Sequence, residues 1–388
     1  MKHAKKRKKK MTTGKKVLII VIALLAAAAI VVGGIYGLPY LLSPQESSAS
    51  SVVSEVSVPE PEPEPQPVMN PLTGIADLPP ETTLNRPIGI VVPESPDYIT
   101  QLNIEKADMY FEAETEAGIP RMLAVFSNID RMPERVGPVR SARPHFVRMA
   151  KAFDMVYCHI GGSPSGRRAI ANLGVNDLEN CSVVDSTLSN APNNFSWDNK
   201  AFTQKKVKAA MKSRGYKFTT TTTPPFTFGK KTGTTPATVL DIQISDSYDM
   251  AFTYVESTKL YQKHRNALNT KVHVTGTGGT VEVTNVLVMY APRFADTYNP
   301  NRDGKSRIDF TMNSGSGVLA NNGYARNIKW KFTNNKLAYY EADGITPLEF
   351  APGKTFIVLT ATHNQSRTKI SGPTTTTTTA ATTTTTAK

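Results

Sequence analysis

The chain has 388 residues and a formal net charge of +13, long enough for one large domain or two ordinary ones. The charge is uneven: nine lysines and arginines precede residue 17, and no acid stands among them. Topology and anionic lipid account for such a tail when an apolar run follows it, so nucleic acid is excluded as a partner.

Residues 1–16 are therefore read as a basic cytoplasmic tail. Residues 17–42, VLIIVIALLAAAAIVVGGIYGLPYLL, carry no charge. Such a run as a helix spans a hydrocarbon core of about 30 Å, and the basic flank keeps the N-terminus inside. The expectation is an uncleaved, single-pass signal anchor in the cell membrane, with the bulk extracellular. A cleaved signal peptide is the rival, but the run is long for one and no small-x-small site follows Pro39. No cysteine follows the run to take a lipid.

Residues 43–69 form a Ser/Pro/Glu linker, flexible in its serines and extended in its Pro-Glu repeat. Residues 70–217 alternate strand and helix patterns. RPIGIVV, ADMYFEAE, RMLAVFSN and DMVYCHI read as strands,. Phe146, Met149, Ala150 and Phe153 fall at i, i+3, i+4 and i+7, a helix. RRAIANLG is a short helix with Gly174 as its C-cap, and AFTQKKVKAAMKSRG a surface helix ended by Gly215,. This predicts an α/β (α+β) layered domain. A Thr/Pro-rich joint spans 218–240. From 241 to 361 the period is two, predicting a smaller all-β sandwich or barrel, with Trp330 in its core. Residues 362–388 read as a Thr-rich disordered tail. Cys158 and Cys181 are the only cysteines, and either a disulfide or two thiols is compatible with them.

Two stretches carry candidate chemistry. In RVGPVRSARPHF, from Arg135, a helix starting near Ser141 would have Ser141 as N-cap and Pro144 in its first turn. Arg140 and Arg143 would then flank a helix N-terminus, where backbone N–H groups and two guanidiniums suit phosphate or carboxylate. An internal carboxylate, Glu112, Glu114 or Glu116, is the competing partner. In HIGGSPSGRR, His159, Gly161, Gly162 and Ser163 form a second Gly-rich turn into a helix, aimed at the same end of the sheet. It is not a P-loop. His159 reads as a base, a donor or a structural histidine, and Ser163 is a weak nucleophile candidate. No histidine has metal-ligand spacing. The amide-rich stretch 190–201 reads as a contact loop or as self-satisfied turns.

The ordered motifs NPLTGI, RPIGIVV, ADMYFEAETEAGIPRMLAVF, VGPVRSAR and YCHIGGSPSG resemble those of YerB-like proteins. So do VEVTNVLVMYA, GSGVLANNGYARNIKWKF and LEFAPGKTFIVL in the second half. The resemblance covers about residues 69–361. It implies an extracellular, usually lipid-anchored envelope protein of Gram-positive bacteria, with a two-part domain of unknown function. Relatives carry a lipobox cysteine, and often Pro-His-Asn where this chain has Pro192-Asn193-Asn194.

A more distant resemblance is to LytR-Cps2A-Psr proteins, in MLAVFSNIDRMPERVGPVRSAR and YCHIGGSPSGRRAIANLGV. It implies that Arg121, Arg140 and Arg143 hold the pyrophosphate of a polyprenyl lipid, with Asp108 and Glu112 as the acids for Mg²⁺ in glycopolymer transfer. The expected function is a membrane-anchored binding module for an anionic ligand, with no cofactor; the alternative is that transferase. Expected partners are the membrane through 17–42 and a cell-wall polymer, polyprenyl phosphate or envelope protein.

Overall fold

The computed structural model describes residues 66–94, 100–179, 181–185, 188, 199–265, 271–299 and 306–372. Strand β1 (Ile88–Pro93) is buried along its length, as an unbroken apolar run demands of a strand covered on both faces. β2 (Met109–Glu114) and β3 (Pro120–Phe126) form a hairpin. Its turn places Ala117 and Gly118 at φ +56° and +77°, the paired left-handed conformation of a type I′ turn. Then come α1 (Pro144–Ala152), β4 (Val156–Cys158), α2 (Pro164–Leu173), β5 (Asp177–Leu178) and α3 (Gln204–Ser213).

The later half is built of strands. In order they are β6 (Val239–Gln243), β7 (Asp249–Val255), β8 (Leu260–His264), β9 (Glu282–Val283) and β10 (Asn285–Ala291). β11 (Ser314–Asn321), β12 (Tyr324–Thr333), β13 (Lys336–Glu341), β14 (Thr355–Ala361) and β15 (Lys369–Ser371) complete them. The protein is mostly β.

Eleven strands make the central sheet. Its order runs from the short strand Thr235–Pro236 through β12, β11, β10, β14, β2, β3, β1 and β4 to β5, with β13 beside β12. β14 is the joining strand. It pairs in parallel with β10 on one side and with β2 on the other. The later half was expected to close a sandwich or barrel of its own. Instead its strands β10 to β14 continue the sheet of the earlier half. The reason lies in β2 and β14, both buried at every residue: neither can be a solvated edge, so each needs a strand on both sides.

A second sheet, ordered β9, β8, β7, β6, β15, covers one face. Its Leu240, Ile242, Met250 and Tyr261 share a core with Ile90, Val92, Tyr110 and Val288. Phe252 meets Phe356 edge-on across this gap, with centroids 5.1 Å apart. The opposite face receives Phe146, Met149 and Ala150 of α1, and Phe153 that caps its end, against Val91, Phe111, Leu123 and Ile357. α1 is capped by Arg143, without a side-chain bond, rather than by Ser141. α2 begins at Pro164, three residues before the expected RRAIANLG: Ser163 Oγ accepts from Gly166 N–H at 2.9 Å and caps it, while Gly174 ends the helix as expected, at φ +57°. Trp330 is fully buried. Cys158 and Cys181 are buried thiols.

Candidate functional site

Strands β10, β14, β2, β1, β4 and β5 all run one way, because β3 is antiparallel to both β2 and β1. Ligands of open α/β sheets bind outside the carboxyl ends of such strands. Here that rim carries the β2–β3 turn and the N-termini of α1 and α2. It also brings the two candidate stretches together. Ile160 N–H donates to the Arg140 carbonyl at 3.1 Å, Ala142 N–H to Gly161 at 3.0 Å and Ser163 N–H to Ala142 at 3.1 Å. Arg140, Ser141, Gly161, Gly162 and Ser163 therefore lie side by side, as expected.

The arginines already have a partner. Glu116, in the β2–β3 turn, accepts from Arg121 Nη2 at 2.7 Å and Nη1 at 3.2 Å. It also accepts from Arg143 Nε at 2.8 Å and from Arg143 Nη2. Arg143 Nη1 donates to the Ala142 carbonyl at 2.7 Å. Both arginines are buried, and one carboxylate serves the two, so the cluster keeps one positive charge in excess. Burial alone would raise the Glu116 carboxyl, but the Arg121 and Arg143 charges and hydrogen bonds hold it well below the usual carboxylate range. Burial, and then the Arg121 charge, pull Arg143 down to about 10. Around this clamp, Arg293 Nη2 bonds Glu114 at 2.8 Å and the Arg168 guanidinium lies 4.8 Å from the exposed Tyr298 ring.

The second stretch satisfies itself. His159 is fully buried; its Nδ1 lies 2.8 Å from the Gly161 carbonyl and its Nε2 3.1 Å from Asp177 Oδ2. This His159 bond leads the effects that hold Asp177 below its ordinary range. Gly161 takes φ +68° and its N–H donates to Glu179, which Arg167 grips with two bonds of 2.7 and 3.0 Å. Ser163 is an N-cap with a second bond to Ser165 Oγ at 2.9 Å, not a nucleophile beside a base.

The two expected acidic partners do not meet the arginines. Asp108 precedes β2 at the opposite rim. There it accepts from Ser127 N–H at 2.8 Å and from Arg131 at 2.7 Å. The six residues of β2 separate it from the turn that carries Glu116, about 20 Å at 3.3 Å per residue,. Glu112 faces the wrong way: Arg121 is paired with Ala113, on the helix side, while Glu112 is paired with Met122 on the other. It sits instead in a buried group with Glu94, Gln101, Lys263 and His273 that sequence reading did not find. The available signal was the alternation of LYQKH, which turns Tyr261 and Lys263 to the same inward face. The stretch 190–198 lies outside the described residues.

The fold and rim define a class: a mostly β, two-part protein whose halves complete one sheet. Models for two parts of one family match the chain. "Protein of unknown function (DUF3048) N-terminal domain" covers residues 72–217 and the C-terminal domain covers 240–357. The chain is 30% identical over 301 residues to "Putative lipoprotein YerB" of Bacillus subtilis (strain 168), across 74% of this chain and 84% of the relative. The crystal structure of YerB from Bacillus subtilis superposes with a TM-score of 0.63 at 26% identity, covering 75% of this chain and 96% of that one. The chain belongs to the DUF3048 family, of the YerB type.

This corrects the localisation read from residues 17–42. The relative is named a lipoprotein, a class held at a membrane by acyl chains rather than by a spanning helix. Among the described residues no helix is long and apolar enough to cross a membrane; residues 17–42 themselves lie outside them.

Proposed function

We propose that this is a cell-envelope binding module that recognises an anionic group at the carboxyl-end rim of its central sheet. The observation that carries the reading is the shared carboxylate: among the described residues, two buried guanidiniums, Arg121 and Arg143, pair with one carboxylate, Glu116. A buried positive charge in excess is costly unless an anion offsets it. Arg140, Ser141 and the Gly161–Gly162 turn stand beside the clamp, at the N-terminal end of α1, where the backbone favours negative charge. Recognition rather than chemistry fits the rim, since His159 and Ser163 are engaged in holding its turns. The transferase alternative needs an acid near the phosphates, and neither Asp108 nor Glu112 reaches them.

The test is a thermal-stability titration of the full chain with inorganic pyrophosphate. At about 100 times the dissociation constant a bound anion adds about 2.7 kcal/mol. Arg140→Ala is expected to abolish the gain, and Lys336→Ala, on a distant strand, to keep it. Absence of any shift at millimolar pyrophosphate, or an equal shift in both variants, overturns the reading.

A further inference from the structure

Between the two sheets lies a charged group that the rim does not use. Lys263 of β8 is fully buried, as are Glu94, Gln101, Glu112 and His273. Lys263 Nζ stands 3.0 Å from Glu94 Oε1 and 3.5 Å from Glu112 Oε2. The two carboxylates are treated differently. Glu94 accepts from Gln101 Nε2 at 2.6 Å, with His273 Nδ1 at 3.5 Å and Arg265 Nε at 4.0 Å. Among the described residues Glu112 has no donor nearer than Lys263, at the 3.5 Å limit of a hydrogen bond. A buried carboxylate with so little donor support is costly when ionised, which favours the protonated form of Glu112. Burial pushes it up to about 8, with Lys263 opposing and Glu94 reinforcing the rise. Burial acts on Glu94 too, but the Lys263, His273 and Arg265 charges outweigh it and hold Glu94 at about 2. The Phe356 ring, 5.8 Å from Nζ, is part of the apolar wall.

An amine, a carboxylic acid and a carboxylate base are thus held within contact distance in a dry site. We propose that Lys263 and Glu112 condense to an internal amide, an isopeptide cross-link that ties β8 to β2. The dry site disfavours separated charges, so the Lys263–Glu94 ion pair passes to its neutral form: one ammonium proton moves across the 3.0 Å contact to Glu94,. The freed amine attacks the Glu112 carboxyl carbon and a C–N bond forms. The Glu112 C–OH bond breaks, and the hydroxyl leaves as water with the proton Glu94 carried. Glu94 then takes the second nitrogen proton and ends as the acid. Three protons on nitrogen and one on Glu112 become one on the amide, two on water and one on Glu94, with no change in net charge. No further reactant enters. Fixed proximity supplies the rate, and a water-excluding core disfavours the reverse hydrolysis.

Mass spectrometry of the full chain decides it. The intact protein is expected to be lighter than its sequence by one water, about 18 Da. Trypsin is expected to release Ala107–Arg121 and Leu260–Arg265 as one branched peptide, uncut after Lys263, with fragment ions joining Glu112 to Lys263. Glu94→Gln keeps the side-chain shape and removes the base; it is expected to leave the chain at full mass. A wild-type chain at full mass, giving Ala107–Arg121 and Leu260–Lys263 as separate linear peptides, overturns the proposal, whether or not the variant folds.

Discussion

Replacing Glu116 by Gln probes the rim clamp directly. The variant keeps the shape of the side chain and removes the one negative charge shared by Arg121 and Arg143. Breaking a buried ion pair by removing one partner costs about 3–5 kcal/mol. The Glu116 side chain is 25% exposed, so solvent offsets part of that, and a loss of about 3 kcal/mol follows. At about 2.1 cal/mol/K per residue over a chain of 388 residues, that is about 4–5 °C in melting temperature,. The sign with pH is set by the depressed carboxyl. Its contribution is complete above its unfolded pKa of about 4.3 and fades as pH falls towards its lower native value. The gap between wild type and Glu116→Gln should therefore be full at pH 7 and shrink steadily below pH 4. The seat it opens should also take an external anion, so pyrophosphate should stabilise the variant more than the wild type. Thermal melts from pH 3 to pH 8, with and without pyrophosphate, measure all three. A variant within about 0.5 kcal/mol of wild type at neutral pH, as for an ordinary surface change, would refute the clamp, as would a gap that does not vary with pH.

Arg131→Ala leaves the fully buried Asp108 with its Ser127 N–H and Asn70 bonds and the more distant charge of Lys354, but no paired cation; a loss of about 3 kcal/mol in chemical denaturation is expected. Gly317→Ala drives a Cβ into the Val288 carbonyl oxygen of the neighbouring strand. It should cost at least the 1–3 kcal/mol of an overpacked core, read as a lower denaturant midpoint with an unchanged slope. A chain ended after residue 217 lacks β14 and leaves the apolar edge of β2 bare; near-UV circular dichroism should find no fixed tertiary packing.

Most elements of the earlier half are legible because each has an unmixed local signal. The apolar run of β1, the i, i+3, i+4, i+7 stripe of α1 and the Gly174 stop of α2 need no tertiary information. β11 was not legible, because SGSG reads as a turn. Its glycines serve instead a close strand approach: a Cβ at Gly315 would strike the Tyr290 carbonyl oxygen, and at Gly317 that of Val288. The assembly of the sheet was hidden for a related reason. Nothing local in TFIVLTAT tells that it inserts between β10 and β2. The site was half legible. Two loops that converge at a sheet rim can be inferred from strand-turn-helix order, and so can the arginines. Which carboxylate would neutralise them could not. Sequence proximity offered Glu112, Glu114 and Glu116 alike; alternation along β2 sends Glu112 to the opposite face, and the turn brings Glu116 to the arginines.

The rim is assembled by both halves of the chain. Arg293 from the later half holds Glu114 of β2, Arg307 is bridged to Glu116 by backbone pairing, and Asp296 accepts from Ser165 in the first turn of α2. Each contact ties a segment after β10 to a candidate recognition element of the earlier domain. β14 fixes the distance between them, since it is hydrogen-bonded on both sides and buried throughout. The Glu94–Lys263–Glu112 group spans the same joint from the other face of the sheet. A rim built this way cannot be carried by the N-terminal family domain alone. The clamp geometry at Glu116 depends on a strand that arrives more than two hundred residues later, which is a physical reason for the two matched domains to occur on one chain.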